Sequence, residues 1–186
     1  YAQSKNVQEI EVNRQDGHFA SVVRAAEGED VLLVAEADGT AFEARVVFDA
    51  DSATSPPDRL DTPVELEEAS NGEPFEIGDI QFATNSAEIN RTSLLMLDLF
   101  AAYLLRNDAI GVHIKGHTDD RGRPEDKQVL SENRAARVAA ALEQFGVPSN
   151  RITHAGFGQS APVASNATAE GRSQNRRTEF EIRLGH

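Results

Sequence analysis

The chain has no cysteine. Disulfides, thiolate metal sites and a cysteine nucleophile are excluded, and so is a lipidated cysteine within these residues. No apolar run approaches the eighteen or so residues that a membrane-spanning helix needs. No basic-then-apolar signal segment opens the sequence. The first residue is Tyr1 rather than Met, so the sequence reads as a processed or excised piece, with any export signal or anchor outside it. Aromatic residues are scarce, at 6%, and no cluster of them in the first part offers a sugar-stacking surface. A basic excess is also missing. The net charge is -13, which disfavours nucleic acid and anionic lipid as partners.

What is present divides the 186 residues in two. Residues 1–80 hold 5 Lys and Arg against 19 Asp and Glu, a balance of -14. Residues 81–186 hold 13 against 12, a balance of +1. Hydrophobic residues make up 39%, enough for real cores. The first part reads as β. Short apolar stretches at 7–12, 19–23, 31–34 and 41–48 are punctuated by Asp16-Gly17, Gly28 and Asp38-Gly39. Strands at this spacing predict a small antiparallel, sandwich-like domain. Residues 51–58 read as a loop, and Val64–Leu66 as one more strand. The boundary falls near residues 72–78, giving a small acidic β-rich domain over 1–75 and a second domain over 76–186.

The second part predicts a strand over 77–82 and a helix over 92–106 that is apolar on most sides. A strand over 111–118 comes next. A second helix starts with Pro124 at its first position and Glu125 and Asp126 in its first turn. Its apolar stripe is Ala135, Val138, Leu142 and Phe145, and Gly146 ends it. A strand over 152–156, a helical turn within 169–177 and a half-buried strand over 178–184 complete the pattern. The order β-α-β-α-β-(short α)-β predicts an α+β fold, a mixed sheet with its two main helices on one face.

Lys115, His117 and Asp119 share a strand face by the period of two. Asp119 stands where the strand gives way to a turn, and Arg134 lies fifteen residues on, in the following helix. Such a pair has two uses. It can close on itself as a salt bridge, or it can receive a zwitterion, the carboxylate taking an ammonium and the guanidinium a carboxylate. Spacing alone permits either.

Other clusters reduce to simpler readings. His113 and His117 sit roughly 13 Å apart along a strand, too far to share a metal ion. The acids Asp119, Asp120, Glu125 and Asp126 could suggest paired-carboxylate hydrolysis, but solvated loop and helix-start acids explain them better. No nucleophile elbow, phosphate loop or zincin motif is present. Asn90-Arg-Thr92 and Asn166-Ala-Thr168 fit the glycosylation pattern by chance. These readings give no catalytic residue, no metal and no cofactor.

Gly116-His-Thr-Asp119, Gly122, Leu130-Ser131, Arg134-Ala135, Gly156-Phe-Gly158, Pro162, Asn166, Gly171-Arg172 and Asn175-Arg-Arg177 occur in one order and spacing. Together they resemble the OmpA-like C-terminal family, the peptidoglycan-associated module of OmpA, Pal and MotB, over about residues 78–184. The resemblance implies that Asp119 and Arg134 clasp the amino and carboxylate groups at the free end of meso-diaminopimelate. Thr84 and Asn85 match a loop that closes over the ligand. Leu130 matches a pocket-lining residue and Arg176 an arginine near the pocket, although Asn175-Arg-Arg177 is equally compatible with a structural role.

One position departs from the pattern. Where the family often has asparagine, this chain has Lys127. Its longer, cationic side chain could reach a ligand carboxylate or repel the ligand ammonium.

The implied role is non-covalent anchoring of an outer-membrane protein or complex to the wall, in the periplasm of Gram-negative bacteria. The partner is the diaminopimelate stem peptide. The alternatives are a targeting module of a wall-processing enzyme and an assembly module with a degenerate pocket. The first part more weakly resembles the transthyretin-like or carboxypeptidase-regulatory-like β domain, with possible protein partners.

Overall fold

The computed structural model describes residues 31–37, 41–48 and 74–75 as backbone, and 77, 80–83 and 86–184 with their side chains. Strands β1 (Val31–Ala37) and β2 (Ala41–Phe48) pair antiparallel, in agreement with two of the strands read from the first part. The stretches at 7–12, 19–23, 51–58 and 64–66, and with them the sandwich as a whole, lie outside the described residues.

A second sheet contains β3 (Pro74–Phe75), β4 (Ile110–His117), β5 (Ile152–Gly158) and β6 (Thr178–Leu184) in the order β3-β6-β4-β5. Strand β4 runs parallel to β5 and antiparallel to β6, so the sheet is mixed. Of the predicted strand over 77–82, the described residues 77 and 80–82 belong to no strand, and Phe82 makes only an isolated bridge. Two-residue β3 lies beside β6 instead, and residues 81–83 are hydrogen-bonded to residues 86–90. Phe82 bridges Ile89, and Asn90 N–H donates to the Gln81 carbonyl at 3.1 Å. Buried Ile77 and Ile80 still contribute to the core from non-strand positions.

Helix α1 (Arg91–Arg106) starts where Asn90 Oδ1 accepts the Ser93 N–H at 2.8 Å, a side-chain N-cap. Met96, Leu97, Phe100, Tyr103 and Leu104 are buried, while Leu94 and Leu105 are exposed. The helix is therefore one-sided rather than apolar throughout its contacts. Helix α2 (Pro124–Gln144) buries Ala135, Val138 and Leu142, with Phe145 half-buried at its end. Gly146 stops it at φ +101°, a conformation that costs glycine little.

Both helices pack on one face of the sheet. Ile114 and Phe180 are register partners and point the same way. Phe100 of α1 meets the Phe180 ring edge-on, with centroids 5.5 Å apart. Two residues along β4, Gly116 faces α2 so closely that a Cβ would stand 2.4 Å from the Ser131 carbonyl oxygen. Its register partner Gly156 leaves the same clearance beneath Glu132. This paired notch lets α2 lie against β4 and β5 near their C-terminal ends. No described helix is long and apolar enough to cross a membrane.

Candidate functional site

Three chain segments meet at the C-terminal end of β4. The turn that holds Asp119 leaves β4 there, and α2 begins after it. Because β6 is antiparallel, its start lies at the same end, with Thr178 opposite Gly116. Backbone bonds close the junction: His117 N–H donates to the Arg177 carbonyl at 3.0 Å and Thr118 N–H to the Gly158 carbonyl at 2.9 Å. The β4–β5 register also shifts between Gly116 and His117. The regular alternation therefore ends before Asp119. Lys115 and His117 face Glu181 and Glu179 across the sheet, whereas Asp119 turns toward the start of α2.

Asp119 is 6% exposed, and both of its oxygens are engaged. Oδ1 accepts from Lys127 Nζ at 2.9 Å and from the Arg121 N–H at 3.2 Å. Oδ2 accepts from Arg176 Nη1 at 2.9 Å. Burial raises the Asp119 carboxyl pKa, but the bonds from Lys127, Arg176 and Arg121 outweigh it and hold the group below its ordinary range. The side chain of Lys127 is only 14% exposed. Its Cε would lie 3.4 Å from a Cβ at Gly122, so the stem rests along the turn before it reaches the carboxylate.

Arg134 makes no ion pair with Asp119. Its Nε donates to the Ser86 carbonyl at 2.9 Å, and its guanidinium carbon lies 4.7 Å from the centroid of the Phe82 ring. Burial, then the charge of Arg176, lowers its pKa, while Asp119 raises it; the three charged groups share one field. Among the described residues, no acceptor reaches the two Nη groups of Arg134. Lys127, Leu130 and Arg134 follow the i, i+3, i+7 spacing, so α2 presents them on one face. Leu130 is half-buried there. Thr84 and Asn85 lie outside the described residues.

The neighbours of Arg176 are structural. Asn175 is fully buried, and its side chain bonds Val163, Ala164 and Asn166, fixing the loop before α3 (Ala169–Asn175). Arg177 pairs with Glu179 and reaches the Ala161 carbonyl. Arg176, 45% exposed, alone of the three turns to Asp119. Sequence reasoning missed the Phe82 platform and the Ser86 carbonyl. It also missed that Lys127 bonds Asp119 directly. Asp120, Glu125 and Asp126 are exposed. Among the described residues, no group of three or more histidine and acidic side chains is placed to hold a metal ion.

The geometry is a buried carboxylate in the turn before α2 and a braced guanidinium midway along that helix. Comparison with known proteins agrees with the architecture. Outer membrane porin F of Pseudomonas aeruginosa is 36% identical over 56% of this chain and 30% of its own length. The outer-membrane lipoprotein YfiB of the same organism is 42% identical over 53% of this chain and 58% of its own. The chain thus spans from about a third to somewhat over half of these relatives. The crystal structure of the peptidoglycan-associated lipoprotein from Burkholderia pseudomallei superposes with a TM-score of 0.53 at 28% identity, covering 56% of this chain and 89% of that one. The profile of the OmpA family matches residues 81–176, more than half of the 186 residues, and the chain belongs to the OmpA family.

Proposed function

We propose that this chain binds peptidoglycan without cleaving it, gripping the free amino-acid end of meso-diaminopimelate between Asp119 and Arg134. The observation that carries the proposal is the posture of Arg134. Its Nε and one face of its guanidinium are held from behind by the Ser86 carbonyl and the Phe82 ring, so the Nη fork is left for a ligand carboxylate. Asp119 supplies the opposite charge, close enough to act on the Arg134 guanidinium. A zwitterion has both charges to offer. Binding needs no activated group, and fixed charge suffices.

The relatives named as outer-membrane proteins and as a peptidoglycan-associated lipoprotein support an anchoring role between outer membrane and wall, in the periplasm. Purified protein should pellet with diaminopimelate-type sacculi, and Asp119→Ala or Arg134→Ala should reduce pelleting to background while the fold is retained. Undiminished pelleting by both variants removes the clamp. Release of soluble wall fragments during incubation would instead favour an enzyme.

A further inference from the structure

The seat that a ligand ammonium would take on Asp119 is held by the chain's own ammonium. Lys127 Nζ lies 2.9 Å from Oδ1, with its stem laid along Gly122 and its side chain 14% exposed. Arg176 Nη1 holds Oδ2 at the same distance. Asp119, Lys127, Arg176 and Arg134 sum to two positive charges, so an arriving ammonium meets repulsion and an arriving carboxylate meets attraction. Lys127 and the ligand present the same group, a primary alkylammonium. Exchanging one for the other conserves the charge-assisted bond to Asp119. The lysine, however, is tethered. A short tether gives an effective concentration on the order of millimolar, which free ligand has to overcome.

We propose that Lys127 is a built-in competitor for the ligand's ammonium. It occupies Asp119, is displaced when a zwitterion binds, and so sets the affinity of the site for amino-acid ends without obstructing carboxylate capture by Arg134. This rests on the zwitterion reading above and adds the residue that tunes it. It also fixes the sign of substitutions at this position. Removing the charge frees Asp119, which keeps Arg176 and the Arg121 N–H as partners and so stays ionised.

Calorimetric titration at low ionic strength tests the proposal with two probes. One is meso-diaminopimelate. The other is pimelate, the same seven-carbon diacid without amines. Lys127→Met keeps the stem and drops the charge, and Lys127→Asn drops both. Thermal melts check that each variant folds. Both variants should bind meso-diaminopimelate roughly tenfold more tightly than the parent chain. Pimelate, which does not compete for Asp119, should bind them equally or more weakly. This opposite response of the two probes is one that a structural role of Lys127 would not produce.

If the parent chain binds meso-diaminopimelate, Asp119→Ala loses it and both Lys127 variants bind no more tightly, the competitor role is overturned and the clamp stands. Tightening of both probes alike overturns it as well. Absence of binding by the parent and by both folded Lys127 variants overturns the clamp and the competitor together.

Discussion

His117 shows how one buried side chain ties the site to pH. It is 4% exposed, its ring stacks on Phe157 with centroids 5.3 Å apart, and neither ring nitrogen has a hydrogen-bond partner among the described residues. Burial, then the charge of Arg177, pushes its pKa down to about 4, against the pull of Glu179, whose Oε2 lies 3.5 Å from Nε2. Lys115 of the same strand adds to the lowering. The folded protein thus holds His117 neutral where the unfolded chain, with the ordinary value of 6.5, takes up a proton. Its contribution to stability is complete above pH 6.5 and is lost as pH falls from there to about 4. Asp119, held below its ordinary 3.8, adds a separate loss only at lower pH. Urea midpoints at pH 7, 5.5 and 4.5 should fall progressively, and His117→Phe should flatten that decline. Some slope remains, because burial and Arg183 lower His113 as well. An unchanged slope in His117→Phe would show that the ring is not the group being titrated.

At this scale, the sequence named the cluster but not its wiring. Asp119 and Arg134 were legible as opposite charges across a βα loop. Which cation touches Asp119 was not, since Lys127 comes from eight residues away and Arg176 from fifty-seven. Spacing places a residue on a helix face; it does not say how far a flexible side chain reaches.

Among the elements of the second part, the helices and the long strands β4, β5 and β6 were legible because period and punctuation agree. Pro124, Gly146 and the alternation of Phe180, Ile182 and Leu184 mark their ends and faces directly. The segment from Ile77 to Phe82 misled, because apolar alternation reports burial and not the pairing partner. β3 takes the place beside β6, and Phe82 becomes the floor beneath Arg134. The glycine notch carries a further consequence. A Cβ at Gly156 would stand 2.4 Å from Glu132 N and 2.6 Å from Ser131 Oγ. Backbone lies in its way, so α2 has to lift off the sheet. Gly156→Ala should cost about 1–3 kcal/mol of stability in a denaturant titration. It should also weaken sacculus pelleting beyond what the folded fraction explains, because α2 carries Lys127 and Arg134 as one rigid body. A loss below roughly 0.5 kcal/mol, the range of an ordinary surface substitution, would mean that the helix has room to spare.

For the whole molecule, charge is the property the sequence displays most plainly. Residues 1–73 hold 5 Lys and Arg against 17 Asp and Glu, a balance of -12, while residues 74–186 hold 13 against 14, a balance of -1. A wall rich in stem-peptide carboxylates is itself a polyanion. On the proposed reading, the acidic segment opposes approach to the wall and the clamp has to work against it. Such repulsion is long-ranged only at low salt: the screening length is about 30 Å at 10 mM and about 3 Å at 1 M. A fragment of residues 74–186, shown by its thermal melt to fold, should bind sacculi more tightly than the full chain at 10 mM salt. The two affinities should converge toward 1 M as the segment's field is screened, although each falls because the clamp's own ion pairs weaken. Equal affinities at both salts would mean that the acidic segment keeps clear of the wall when the site is engaged. Tighter binding by the full chain would mean that it makes wall contacts of its own, and the first part of the molecule would then be a second binding surface and not a soluble, repelling spacer.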